Sequence, residues 1–151
     1  MSRLGDQFCA RLHREHLKPI GFKKTRRTFD RQHVGWCEYY QVQGSAWNRS
    51  DSPWVFYLNC GISFDGVSRR VPDSDFPRAH AYMRCGFFVP DSRAQYDVTA
   101  ENETPLLEEV AVVVQRCSNY FSARHDALRE LYEANCWKMG FLADPELRGR
   151  S

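Results

Sequence analysis

Large apolar residues recur at every second position from Trp54 to Phe64. Trp54, Phe56, Leu58, Cys60, Ile62 and Phe64 fall on one side, and Val55, Tyr57, Asn59, Gly61 and Ser63 on the other. A period of two sends successive side chains to opposite faces of a pleated strand, so one face is built to be covered and the other is polar. Weaker alternation recurs on either side. Phe22 to Arg31, rich in Thr and Arg, reads as one edge strand whose cations discourage pairing with another copy. Val34-Gly35 marks a turn. Trp36 to Ser45 then reads as a second strand, with Trp36, Tyr40 and Val42 inward and Cys37, Tyr39, Gln41 and Gln43 outward. The polar loop Asn48–Pro53 leads to the Trp54 strand. A long connection over 65–78 follows, then a fourth strand from Ala81 to Val89 and a short fifth from Tyr96 to Thr99.

Helical spacing frames these strands. Leu4, Phe8 and Leu12, with a Cys9–His16 edge, make a narrow apolar stripe that Pro19 and Gly21 end. Thr104-Pro105 starts a second helix, with Glu108 and Glu109 near its positive end. Leu106, Val110, Val113, Val114, Cys117 and Phe121 form its buried stripe. A break near Ser122 predicts a third helix in which Leu128, Leu131 and Tyr132 face inward. Strands followed by helices point to an α+β fold. The expected architecture is a single domain over 1–141 with a flexible tail over 142–151. In it, an antiparallel sheet of four to five strands carries an N-terminal helix and two C-terminal helices on one face.

Composition supports a folded core: 42% of the 151 residues are hydrophobic and 14% aromatic. The formal net charge of +2 gives no global case for nucleic acid or membrane. Its distribution is uneven, with a net +6 over residues 1–35 and a net −5 over residues 90–110, as two solvated faces or a surface that steers a charged partner would give. Met1–Asp6 is polar, no run of about 18 apolar residues occurs, and no Cys-x-x-Cys pair is present. These features predict a cytoplasmic protein with reduced cysteines buried as small apolar residues.

Candidate chemistry is sparse. Cys9, His13 and His16 have helical spacing and ligand-type side chains, but lack the clustered pairs of zinc motifs, so no metal or other cofactor is expected. Cys37 or Cys60 could serve as a nucleophile only if the fold brought His33 or His80 alongside. No nucleophile elbow, phosphate-binding glycine loop or His-Glu-x-x-His is present. The outward sheet face offers more. Tyr39, Gln41, Gln43, Tyr57, Asn59, Tyr82 and Arg84 share it if the register holds, and such mixtures of aromatic, amide and arginine side chains suit protein interfaces.

The segments Leu17-Lys18-Pro19-Ile20-Gly21-Phe22-Lys23-Lys24, Arg27-Thr28-Phe29, Gln43-Gly44-Ser45-Ala46-Trp47-Asn48 and Phe56-Tyr57-Leu58-Asn59-Cys60-Gly61-Ile62, in this order, carry a resemblance. The set resembles the bacterial domain-of-unknown-function family 4304. The resemblance covers about 50 residues and extends through the Arg84–Phe88 strand. That family brings no assigned reaction and no catalytic residues, and only an analogy of class with toxin-neutralising immunity proteins.

The leading expectation is therefore a non-enzymatic domain that binds a protein partner, such as a toxin, through Tyr39, Gln41, Gln43, Trp47, Tyr57, Asn59, Tyr82 and Arg84. One alternative is a small enzyme or ligand-binding domain whose pocket, beside the 65–78 connection, is lined by His33, His80, Asn59 and Arg84. Another is nucleic-acid binding through Lys23, Lys24, Arg26 and Arg27, which would weaken steeply with salt.

Overall fold

The alternating segment Trp54–Phe64 is one eleven-residue strand at the centre of an antiparallel sheet, in a computed structural model that describes residues 2–67 and 79–135. The chain order is α1 (Arg3–Leu12), β1 (Lys23–Thr25), β2 (Thr28–Gln32), β3 (Trp36–Gly44), β4 (Trp54–Phe64), β5 (Ala81–Arg84), β6 (Tyr96–Val98) and α2 (Glu103–Asn135). Strands β1 to β5 are neighbours in sequence order, and β6 shares the outer edge of β4 with β5. Register fixes the faces. Tyr40 stands opposite Phe29 and Cys60, whereas Gln41 stands opposite Thr28 and Asn59, and Asn59 opposite Arg84. Both helices cover the apolar side. Phe8 of α1 packs on Phe56, Phe121 of α2 on Tyr40, and Tyr132 on Phe64, with ring centroids 5.1, 6.5 and 6.2 Å apart.

The expected α+β architecture is present, with three differences in detail. The single edge strand is instead the hairpin β1–β2, closed by Arg26-Arg27, with Arg26 in the left-handed region at φ 56°. Tight hairpins favour Gly, Asn or Asp at such positions, so two arginines carry no turn signature. The two C-terminal helices are one helix of 33 residues. Ser122 lies on its exposed side. His125 occupies the seam between Phe121 and Leu128 and stacks on Trp36 with centroids 5.1 Å apart, so the stripe runs on. The fourth strand stops at Arg84, where a 3-10 turn over Cys85–Phe87 brings Phe88 rather than Phe87 into the core. The expected tail over 142–151 and most of the 65–78 connection lie outside the described residues.

Side chains fix both helix starts. Ser2 caps α1 by accepting from the Gly5 N–H at 3.0 Å and donates to Asp51, whose carboxylate also accepts from the Leu4 N–H at 3.0 Å. Asn102 rather than Thr104 precedes α2 and exchanges hydrogen bonds with Thr99. Glu103, buried at the α2 start, accepts from Arg11 at 2.5 Å and Gln7 at 3.1 Å and so ties the two helices together. The α1 axis continues through a π-helical turn, His13–Leu17, and a 3-10 turn, Lys18–Ile20, to Gly21 at φ 98°.

Candidate functional site

The polar sheet face is divided. At the Cys37–Ser63 end it is closed: Tyr39 is only 7% exposed, clusters with Cys37 and Ala79, and its hydroxyl lies 3.0 Å from that of Ser63. Burial pushes the Tyr39 phenol up to about 12. Tyr39, expected on the open surface, is thus a packing residue there. Ser63 and Ala79 are small enough to let it lie down on the sheet.

Toward the other end the face opens around one hydrogen-bonded group. The Asn59 amide donates to the Gln41 carbonyl at 2.9 Å and the Gln43 carbonyl at 2.8 Å. Arg84 donates to Gln43 at 2.9 Å and to the Asn59 carbonyl oxygen, and its guanidinium carbon lies 4.3 Å from the Tyr57 ring centroid. Asn59 is buried beneath this group, whereas Gln41, Gln43 and Tyr57 are half-buried and Arg84 is exposed. Two further aromatics are exposed: Tyr82, two residues before Arg84 on β5, at 44%, and Trp47, in the loop after β3, at 78%. All the acceptors that Arg84 uses here are neutral amides, so its charge meets no carboxylate in this group.

An open groove of about 1500 Å³ runs beside this group, between the β1–β2 turn, the loop after β3 and the start of α1. Lys24, Arg26, Arg27, Gln41, Gln43, Arg49 and Asp51 are among its lining residues. Of the four basic residues expected to contact nucleic acid, Arg27 is occupied: it pairs with Asp6 at 2.8 Å and lies over the Trp54 ring at 4.6 Å. Lys23, Lys24 and Arg26 are exposed, and among the described residues they make no ion pair, nor does Arg49. Three acids line the groove as well: Asp6 pairs with Arg27, Asp51 is hydrogen-bonded, and Asp30 makes no ion pair with the groove's cations among the described residues. Asp51 caps α1, and those hydrogen bonds hold its carboxyl below the usual range.

The residues of the enzyme alternative do not converge. His33 stacks on Trp36 at 3.9 Å and donates to Glu38 at 2.5 Å on the covered face. His80 accepts from the Phe64 N–H, donates to the Val67 carbonyl and packs on Tyr132. Asn59 and Arg84 stand on the other side of the sheet. Cys37 and Cys60 also lie on opposite faces, and burial pushes the Cys37 thiol up to about 11. The Cys9, His13 and His16 spacing does not assemble a ligand set among the described residues. His13 donates to the Phe22 carbonyl at 2.9 Å, and burial pushes the Cys9 thiol up to about 12.

Two features were not anticipated. Glu38 is fully buried between Trp36 and Tyr40, and its carboxylate accepts from His33, from Arg31 at 3.2 Å and from the Tyr40 hydroxyl at 2.7 Å. Arg31 also donates to Ser118 on α2 at 2.8 Å. A charged residue at an inward strand position was the available signal, because a buried carboxylate needs partners. The second feature is a group of three buried thiols, Cys60, Cys85 and Cys117.

Fold and surface together define an α+β domain with one sheet face covered by helices and the other partly open and polar. Residues 13–114, about two-thirds of the chain, match the family described as domain of unknown function (DUF4304), and the chain belongs to that family. No curated protein and no solved structure matches it. No described helix is long and apolar enough to cross a membrane.

Proposed function

We propose that this domain binds an acidic protein surface through the open end of its sheet. One observation carries the reading: Arg84 is held in place by Tyr57, Gln43 and Asn59 on a sheet face that also carries the exposed Tyr82. Ordering an arginine before binding lowers the entropic cost of using it, and exposed aromatics beside it supply apolar area. Lys24, Arg26 and Arg49 along the neighbouring groove extend the same positive character. A partner with carboxylates facing Arg84 and the groove would complete charges that the chain leaves open. Toxin neutralisation, raised by analogy of class, is one use of such a surface.

Photo-crosslinking side chains placed at Trp47 and at Tyr82, in cells of the native host, test this directly. Both positions are expected to capture the same protein, and Arg84→Glu is expected to abolish both adducts while leaving circular dichroism unchanged. Val112, exposed on α2, is the control position. Equal capture from Val112, or adducts that a nuclease rather than a protease removes, would refute the reading.

A further inference from the structure

Cys60 comes from the covered face of β4, Cys85 from the 3-10 turn after β5, and Cys117 from α2. Their sulfur atoms all lie within 4.8 Å of one another, and the three residues are 0%, 1% and 0% exposed. Packing alone explains a buried cysteine, as Cys9 and Cys37 show by lying buried outside this group. It does not require three thiols from three elements to meet. Three sulfurs each about 2.3 Å from a common metal centre stand about 4 Å apart in a trigonal plane, so the observed group needs only a small contraction to become a site.

We propose that Cys60, Cys85 and Cys117 form a three-thiolate site for a soft metal ion, with copper(I) as the occupant. Thiolate sulfur selects soft ions, and structural zinc sites take four ligands. Among the described residues the group holds three ligands, and no His, Asp or Glu belongs to it. The ligands are flanked on their own elements by buried Leu58, Ile62, Val113, Val114, Phe88 and Phe121, a dry shell that protects a copper(I) centre from oxidation in water. Without metal the thiols satisfy one another. Hydrogen bonds from Cys60 and Cys85 draw the Cys117 thiol below its ordinary range, and burial pushes the other two up. Each thiol that becomes a ligand releases its proton to solvent. Arg84 and Arg116 lend positive charge to the site, and Glu38 opposes them.

The test uses the full chain, reduced and kept free of oxygen, titrated with copper(I) against a chromogenic copper(I) chelator. Cys9, Cys37 and Cys136 are first replaced together by alanine, so that Cys60, Cys85 and Cys117 remain. This variant is expected to take up one equivalent of copper(I), with an X-ray absorption spectrum showing three sulfur neighbours and a raised melting temperature. Adding Cys117→Ser is expected to lower the affinity by more than about 100-fold, since loss of an outer-sphere partner alone costs 10–100-fold. Circular dichroism identifies a variant that has unfolded. In that case the three-cysteine protein is measured with and without copper(I), and the rise in melting temperature decides. No saturable uptake by the three-cysteine variant, uptake that survives Cys117→Ser in a folded protein, or a four-coordinate metal would each overturn the proposal.

Discussion

Arg84 lies over the Tyr57 ring with its guanidinium carbon 4.3 Å from the centroid, on the face of the sheet opposite the core. A lysine there keeps the charge but loses the planar fork that reaches Gln43 and Asn59. Arg84→Lys is therefore expected to change stability by no more than about 1 kcal/mol, the scale of an exposed cation–π contact. Binding of the partner captured through Trp47 and Tyr82 should weaken at least tenfold, as for an interface anchor. Titration calorimetry and thermal melts separate the two effects. A large loss of stability with unchanged affinity would make Arg84 a fold residue.

Gly5 on α1 and Gly44 at the end of β3 both press on the Trp54 indole. A β-carbon on either would lie 2.8 Å from a Trp54 ring atom. Overpacking of this kind costs about 1–3 kcal/mol. Gly5→Ala is expected to lower the melting temperature by several degrees, although alanine is intrinsically the better helix former. An unchanged or higher melting temperature would mean that α1 can shift away from Trp54 without cost.

Removing Glu38 leaves Arg31, His33 and Tyr40 without their common acceptor. Breaking a buried charge pair costs about 3–5 kcal/mol, and the lower end applies because Arg31 and His33 reach partly into solvent. Glu38→Ala should lose about 3 kcal/mol in urea unfolding, and Glu38→Gln, which keeps one carbonyl acceptor and the volume, should lose less. Equal losses would show that the carboxylate's charge contributes nothing beyond its shape.

Three buried tyrosines are expected to set an alkaline limit. Burial raises Tyr39 and Tyr96 to about 12, and burial followed by the Glu38 charge raises Tyr40 well above its ordinary value near 10. A group whose pKa is higher in the folded state adds stability that is intact below its unfolded value. Stability should therefore fall as pH rises from about 10 towards 12. Phenolate absorbance should show these tyrosines ionising together with loss of the circular dichroism signal. Ionisation of all the tyrosines near pH 10 with the fold intact would contradict this.

The sequence carried the strands further than the site. Strand β4 was legible because six apolar residues recur at every second position from Trp54 to Phe64, and the same alternation placed Gln41, Asn59 and Arg84 on one face. The Arg26-Arg27 turn was illegible because neither residue favours the left-handed conformation that the hairpin demands. The unbroken α2 was missed because His125, polar in sequence, fills its seam through its ring. Burial of Tyr39 depends on Ser63 and Ala79, which meet it only once the sheet is formed. No spacing rule links Cys60, Cys85 and Cys117, since each sits on a different element.

Asn59 and Cys60 are consecutive residues, and so are Arg84 and Cys85. In each couple the first member belongs to the outer hydrogen-bonded group and the second to the inner sulfur trio. One peptide unit in each couple separates the sulfur trio from the Arg84–Asn59 bond. The proposed sulfur site and the proposed contact surface thus share the backbone of β4 and the end of β5, and copper(I) uptake is expected to change partner affinity.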